Sequence, residues 1–198
     1  MSESKPRGKR TNDPEGMRRR VLSVAAEAFQ ARGYHATSMH DIMALAQMTG
    51  GALYHHFPTK KALALAVITE TVAAEVQATW IDPLLKAPAR QAILGIFEEI
   101  AAGLEDRQRV QGCPVNNLAL ELSLADPDFR AALKGLFDRW RAALRDRLAT
   151  EATPLPASDM ADLIVATYSG AMALAKTDQS AAPLRNGALA LAKLWKVE

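Results

Sequence analysis

Apolar residues recur every three or four positions along most of this chain, and short polar stretches or prolines interrupt the repeats. This spacing puts apolar side chains on one face of an α-helix, so each uninterrupted repeat predicts a helix. We find no segment with the alternation that is typical of a strand. The predicted helices cover residues 14–32, 39–46, 49–57, 60–81, 88–104, 115–124, 127–150, 158–176 and 183–196. We therefore expect an all-α fold of about nine helices.

Residues 37–63 hold two short predicted helices on a tight turn, followed at once by the start of a third. Thr37 or Ser38 caps the first helix, because a hydroxyl oxygen accepts the free amide hydrogens there. Pro58 ends the second helix, since proline lacks the hydrogen that a helix interior requires. Two helices of this size on a short turn are the plan of a helix-turn-helix, whose second helix can enter the major groove of DNA.

Charge is unevenly distributed along the chain. Residues 1–61 hold 10 Lys and Arg against 5 Asp and Glu, whereas residues 62–198 hold 14 against 17, within a net charge of +2. The basic third coincides with the helix-turn-helix, as expected of a DNA-binding end attached to a domain with another task. Residues 1–12 form a basic arm that we expect to be disordered. It either binds phosphates or the minor groove or serves as a solubilising tail.

Composition narrows the setting of the protein. The single cysteine excludes an internal disulfide framework and favours a reducing cytoplasm. The polar N-terminus lacks an apolar signal core, and we expect no apolar run long enough to span a membrane. These features predict a cytoplasmic protein with no membrane partner.

The second short helix carries groups that suit contact with DNA. Gly50 and Gly51 lie in its first turn, where they either let the backbone approach DNA closely or accommodate packing against the preceding helix. Tyr54, His55 and His56 follow, and their hydroxyl and imidazole groups can bond phosphate oxygens or base edges. Adjacent histidines on a helix diverge, and no cysteine or acid stands at ligand spacing, so we expect no metal site and no cofactor.

The third helix of this region begins with two lysines. Thr59 is its cap, and Lys60 and Lys61 occupy its first turn. Free amide hydrogens at a helix start, together with lysine, can clamp a phosphate.

With these motifs in place, residues 15–63 resemble the DNA-binding domain of the TetR family of bacterial transcriptional regulators. The resemblance rests on Phe29, Gly33-Tyr34, Thr37-Ser38-Met39, Ile42, Ala46, the run from Thr49 to Phe57, Thr59-Lys60 and Leu63. It implies that Thr37 or Ser38, Thr49, Tyr54, His56 and Lys60 contact phosphates. It also implies base reading by residues near Met48, Thr49, Gly50 and Gly51, and by His55.

Two residues depart from the pattern of the family. Lys61 stands where many members have glutamate, and we expect it to add positive charge near DNA. Gly50 stands where a longer polar or basic side chain is frequent, which removes a possible contact and leaves more of the specificity to DNA shape.

The resemblance extends to the organisation of the whole chain. It implies a DNA-binding domain at 13–62 and a ligand-binding and dimerisation domain at 63–198. The last two helices, rich in alanine and small residues, are either core or a two-fold dimer surface; the resemblance favours a homodimer, which presents two recognition helices to a palindromic operator. We expect the ligand pocket between the middle helices. Its candidate residues are Phe97, Ile100, Leu104, Cys113, Asn117, Leu120, Trp140, Tyr168 and Met172.

Three polar residues of the segment 112–123, which resembles a subgroup of the family with a Gly-Cys and Asn-Leu pattern, have alternative interpretations. Asn116 or Asn117 either satisfies backbone groups at a helix start, which we favour, or contacts a ligand. Cys113 lies at a helix N-terminus, where the dipole lowers a thiol pKa; it is either a sensor of electrophiles or oxidants or, as we favour, a small buried apolar residue.

The sequence predicts a ligand-responsive transcriptional regulator rather than an enzyme. It lacks the Gly-x-Ser-x-Gly, His-Glu-x-x-His and phosphate-loop motifs, and all four histidines fall in the basic third. We expect a repressor that an apolar or aromatic small molecule releases from double-stranded operator DNA. An activator and an effector-independent DNA-binding protein are the alternatives.

Overall fold

The computed structural model describes residues 13–107 and 109–195, so the predicted arm at 1–12 lies outside the described residues. Within those ranges the chain is all-helical, as predicted, with nine helices and no strand. They are α1 Pro14–Arg32, α2 Met39–Ala46, α3 Gly50–His56, α4 Lys60–Leu84, α5 Ala89–Glu105, α6 Pro114–Leu122, α7 Pro127–Leu148, α8 Ala157–Asp178 and α9 Ala182–Leu194. Helices α1 to α3 and the start of α4 form the N-terminal head, and the remaining helices form the body.

The starts of the short helices follow local hydrogen-bonding chemistry. The Ser38 side chain accepts the Asp41 amide, and the Asp41 carboxylate accepts the Ser38 amide at 2.8 Å, which completes a capping box. The hydroxyl oxygens of Thr49 and Thr59 accept the amides of Ala52 and Ala62 and so cap α3 and α4 with a single bond each. Gly33 ends α1 with a φ of 88°, a conformation that side chains disfavour.

Helix α4 is longer than predicted, so the expected end at residue 81 is wrong. It continues to Leu84 through Pro83 and contains two π-helical turns, Val67–Val72 and Gln77–Ile81. The proline ring conflicts with the carbonyl four residues earlier, and that carbonyl belongs to the second π-helical turn, where the regular bond is already replaced. The helix therefore passes the proline and ends one residue later.

The central position of α4 explains its apolar composition. By length and composition alone, Lys60–Leu84 reaches the threshold for crossing a membrane, so our expectation that no apolar run is long enough was wrong. In the fold, Leu63, Ile68, Val72 and Trp80 are buried in the core that α4 shares with its neighbours.

In the body, helices α5, α6 and α7 pack against α4. Helix α7 packs along α8, while α9 packs against both α5 and α8. Most other helix ends lie within two residues of the prediction, because prolines and capping residues mark them locally. The helical repeat puts Leu45 of α2 on the apolar face with Ile42 and Ala46, but Leu45 is 47% exposed while Ile42 and Ala46 are buried.

Candidate DNA-binding surface and effector cavity

Helix α3 is held by one buried face and presents the other to solvent. Leu53 and Phe57 are buried in the core of the head. Thr49, Tyr54 and His55, three of the predicted contact residues, are exposed. The exposed face therefore carries hydroxyl and imidazole groups on a helix fixed by packing, which is the arrangement required of a recognition helix.

The two glycines of α3 are not needed for packing against α2. Within the described residues, a Cβ at Gly51 would meet no atom within 4 Å, and one at Gly50 would meet Met43 Sδ at 3.6 Å, an ordinary contact. The interpretation that the glycines accommodate the preceding helix is thus unsupported, while close approach of the backbone to DNA remains. Met48 and His56 are partly buried.

The structure separates the two candidate caps at Thr37 and Ser38. Thr37 is fully buried, and its hydroxyl donates to the carbonyl of Gly33 at 2.8 Å. Its side chain cannot reach DNA, so the predicted phosphate contact at Thr37 is corrected to a structural hydrogen bond. Ser38 is exposed and stays a candidate.

The lysines at the start of α4 have different environments. Lys60 Nζ lies 4.2 Å from the centre of the Tyr34 ring and 3.5 Å from the His35 carbonyl oxygen. Burial lowers the pKa of Lys60, against the opposing effect of Glu121. Among the residues that the structure describes, no carboxylate bonds this ammonium directly, which leaves it suited to a phosphate.

Lys61 makes ion pairs with the body. Its Nζ lies 2.6 Å from an oxygen of Asp126 and 2.7 Å from an oxygen of Asp128, both at the start of α7. These hydrogen bonds raise the pKa of Lys61 and lower that of Asp126. The expectation that Lys61 adds positive charge near DNA is therefore corrected, because its charge is compensated within the chain.

An inner cavity lies where α4, α6, α7 and α8 meet. Its volume is about 80 Å³. The lining residues are Val72, Glu75, Val76, Thr79, Trp80, Cys113, Pro114, Val115, Trp140 and Tyr168. Apolar and aromatic groups form most of this wall, and Glu75 and Thr79 are exposed and mark its mouth.

Three aromatic rings form one side of the cavity. The ring of Trp80 lies 4.8 Å from that of Trp140 and 4.8 Å from that of Tyr168, measured between centroids. Phe97 lies behind them, 5.7 Å from Trp80. Trp80 packs edge-to-face with Tyr168 and Phe97 and is tilted by 53° against Trp140, and such packing adds to the apolar stabilisation.

Cys113 is buried beside Tyr168 and precedes the first residue of α6. Burial raises the pKa of its thiol, and this outweighs the amide hydrogen bonds at the helix start that lower it. Burial also raises the pKa of Tyr168 well above its usual value. Both groups stay protonated at neutral pH, which supports the interpretation of Cys113 as a small core residue.

The nine predicted pocket residues are distributed over three environments. Cys113, Trp140 and Tyr168 line the inner cavity. Asn117 and Leu120 line a separate outer cleft between α1, α6 and α8, and Leu120 is 84% exposed there. The others pack in the core: Phe97, Leu104 and Met172 are buried, and Ile100 is partly buried.

Sequence reasoning missed the contribution of α4 to this site. Glu75 lies one helical turn beyond Val72, and Thr79 and Trp80 lie one turn beyond Val76, and all five residues line the cavity. The sequence could have indicated these residues, because residues three and four positions apart share a helix face.

The asparagines of α6 have mainly structural partners. Asn117 Nδ2 donates to the Gln111 carbonyl at 2.8 Å and to Gln30 Oε1 at 2.9 Å, and Asn116 Nδ2 donates to the Ser169 carbonyl at 3.4 Å. The favoured interpretation, that these amides satisfy backbone groups, agrees with this geometry. Among the residues described, no group of His, Cys, Asp and Glu is arranged to hold a metal ion.

Comparison with known proteins decides the family. Residues 21–67 match the family model of bacterial regulatory proteins of the tetR family, and residues 89–189 match the model of the C-terminal domain of LmrA/YxaF-like transcriptional regulators. The chain belongs to the TetR family. It is a transcriptional regulator with a helix-turn-helix DNA-binding domain. The first match covers the segment with the recognition helix, and the second covers α5 to α8 and part of α9.

Individual TetR-family proteins agree with this assignment over most of the chain. The HTH-type regulator YxaF of Bacillus subtilis is 28% identical over 84% of this chain and 88% of its own length. The HTH-type transcriptional repressor DhaR of Mycobacterium sp. strain GP1 is 26% identical over 85% of this chain and 86% of its own. A TetR regulator structure from Chloroflexus aurantiacus superposes with a TM-score of 0.81 at 29% identity, covering 92% of this chain and 96% of that one.

Proposed function

We propose that this TetR-family regulator is a repressor that a small molecule, bound in the inner cavity, releases from its operator. The observation that carries the proposal is the continuity of α4. Lys60, at its first residue, belongs to the head, and Glu75, Thr79 and Trp80 on the same helix line the cavity. A ligand that displaces the cavity wall thereby displaces a segment of the DNA-binding head.

Further bonds connect the head to the body. Arg18 of α1 pairs with Glu70 of α4, and Lys61 pairs with Asp126 of α7. Glu121, on the helix that begins beside the cavity at Cys113, accepts the backbone amide of His35. These contacts couple the position of the head to the positions of α4, α6 and α7. A ligand that favours one arrangement of these helices therefore shifts the fraction of molecules whose heads can bind DNA.

The proposed site residues follow from exposure and chemistry. On the DNA side they are Ser38, Met48, Thr49, Gly50, Gly51, Tyr54, His55, His56 and Lys60, and on the ligand side they are Glu75, Thr79, Trp80, Cys113, Trp140 and Tyr168. The cavity wall suits an apolar or aromatic effector.

We propose a homodimer through α8 and α9. Leu163, Leu174 and Leu189 are large apolar residues that the single chain leaves exposed on these two helices. A Cβ at Gly170 would meet no atom within 4 Å, so the surface of α8 has room for a close neighbour. Two-fold pairing would place two recognition helices on a palindromic site in the cytoplasm, where the half-sites lie about 34 Å apart.

A binding titration with effector candidates tests the proposal. Fluorescence anisotropy with labelled duplexes from the DNA upstream of the coding sequence should give salt-sensitive, sequence-specific binding. A compound library added to the complex should then yield ligands that release the DNA. The Val76→Phe variant puts a larger side chain into the cavity. It should still bind DNA, but the ligands should no longer release the DNA from it. Release by the same ligands in this variant would contradict a cavity effector.

Repression is favoured over activation by the relative DhaR, whose name describes a repressor. A sensor mechanism through Cys113 has less support, since its thiol is buried and its pKa is raised. Cys113→Ser separates these alternatives, because a cavity effector should still release DNA from the variant, while a thiol sensor should no longer respond.

A further inference from the structure

Trp140 provides a hydrogen-bond donor that the described chain leaves unpaired. The side chain is fully buried, and its Nε1–H has no acceptor among the residues described. Buried polar groups are almost always hydrogen-bonded, and an exception in a native fold calls for an explanation. Trp140 is one of the residues that line the inner cavity, so we infer that a ligand bound there supplies the missing acceptor.

The size and shape of the cavity limit this ligand. A cavity of about 80 Å³ is smaller than one of about 150 Å³ that holds benzene. However, the mouth at Glu75 and Thr79 is open to solvent, so a small ring can place its acceptor inside and extend outwards between these residues.

The charge at the mouth selects among acceptors. Glu75 is the charged residue of the cavity wall, and in the described chain its carboxylate makes no hydrogen bond or ion pair. Partial desolvation raises the pKa of Glu75, with an opposing effect from Arg107. A carboxylate or phosphate ligand would bring a second negative charge next to this group, and the two would repel each other in a partly desolvated site.

We propose that the inner cavity binds a neutral organic molecule whose acceptor oxygen, such as a carbonyl or ether, pairs with Trp140 Nε1–H, and that Glu75 excludes anionic acceptors. This assignment rests on the proposed effector function and adds the chemical class of the effector. Trp140 is then the residue that determines specificity for an acceptor, and Glu75 is the residue that discriminates by charge.

Three matched five-membered ring compounds test the assignment in the full-length protein. Cyclopentanone carries a neutral acceptor, methylenecyclopentane replaces that oxygen by carbon, and cyclopentanecarboxylate carries an anionic acceptor. The protein has three tryptophans, so a ¹H–¹⁵N spectrum resolves three indole signals, which Trp140→Phe and Trp195→Phe assign by elimination. Cyclopentanone should move the Trp140 indole proton downfield, and methylenecyclopentane should bind without that shift.

Affinities provide the second readout. Trp140→Phe should weaken cyclopentanone binding about five- to tenfold, the effect of one hydrogen bond, and should leave methylenecyclopentane binding unchanged. Glu75→Gln should strengthen carboxylate binding while leaving the ketone unaffected. If Trp140→Phe does not fold, Trp80→Phe and Trp195→Phe assign the three indole signals instead, and the comparison of ketone and alkene in the unmodified protein still decides.

Two results would overturn the inference. If both neutral rings bind and neither shifts the Trp140 signal, the cavity accepts ligands without this hydrogen bond, and the proposed effector function stands without the assigned class. If the carboxylate binds the unmodified protein as tightly as the ketone, the role of Glu75 is wrong. If no library compound releases DNA, the proposed effector function is wrong. That result is separate from the ring-compound titrations, because those measure binding to the protein without operator DNA.

Discussion

The carboxylate of Glu121 accepts the backbone amide of His35 at 2.7 Å, across 86 residues of sequence. Its second oxygen accepts the amide of Tyr34 at 2.9 Å. Gly33 lies directly behind, where an added Cβ would come within 3.2 Å of the same carboxylate. One side chain of α6 thus holds the loop that leads from α1 into the helix-turn-helix.

Removing this contact should uncouple the head from the body. Glu121→Ala leaves two amides without their acceptor, and we expect the free energy of unfolding to fall by about 1–3 kcal/mol. Glu121→Gln keeps a neutral acceptor and should lose less. Urea denaturation measures the stability, and anisotropy measures DNA release by an effector, which should need more ligand in Glu121→Ala. Unchanged stability and response would show that the contact is not used in solution.

Local signals account for the elements that the sequence predicted correctly. Ser38, Thr49 and Thr59 act as caps through hydrogen bonds to residues three positions further along the chain. Because both partners lie in the same short segment, the sequence alone predicts these caps. Gly33 and Pro58 mark helix ends for the same reason.

Contacts between segments that are distant in the sequence account for the predictions that the structure corrected. Lys61 pairs with Asp126, 65 residues away, so the sequence showed a free cation where the fold has an ion pair. Thr37 and Ser38 are equivalent as caps by type, and only the packing of α1 decides that Thr37 is buried. Glu75 lines the cavity because one particular face of α4 lies towards α6 and α7. The helical periodicity of the sequence shows which residues share a face, but it does not determine which face meets the neighbouring helices.

Thr37 should affect stability and leave DNA contacts intact. Thr37→Val removes the hydroxyl that donates to the partly buried Gly33 carbonyl, so the free energy of unfolding should fall by about 1–2 kcal/mol. Thr37→Ser retains the hydroxyl and is the matched control. DNA affinity per folded molecule should stay constant at low temperature. If Thr37→Val lowered DNA affinity without lowering stability, the result would support a phosphate contact at Thr37.

The two lysines of α4 should differ in the salt dependence of DNA binding. Lys60→Met removes a proposed phosphate contact, so the slope of log affinity against log salt should become shallower by about one unit. Lys61→Met removes a charge that Asp126 and Asp128 already compensate, and its slope should match that of the unmodified protein. Equal slope changes in both variants would contradict the assigned difference.

The Cys113 thiol should react slowly in the native protein. Its pKa is raised by burial, so the thiolate fraction at neutral pH is below that of a free cysteine and increases as the pH rises. Alkylation by iodoacetamide, followed by mass spectrometry, should be slow at pH 7, faster at pH 9, and rapid after denaturation in urea. The urea sample is the control for intrinsic reactivity. Native labelling at the denatured rate would revive the sensor interpretation.

Gly51 should show opposite effects on stability and on DNA binding. A methyl group at this position meets no atom within 4 Å, and alanine favours a helix over glycine by about 1 kcal/mol, so Gly51→Ala should raise the melting temperature. If the bare backbone of α3 approaches DNA closely, the same methyl group occupies that space and should lower operator affinity. Gly95→Ala in α5, where a Cβ also meets no atom within 4 Å, is the matched control and should stabilise without affecting DNA. Operator affinity equal to that of the unmodified protein in Gly51→Ala would mean that the recognition helix has room for a side chain, and glycine there would no longer be an argument for close backbone approach.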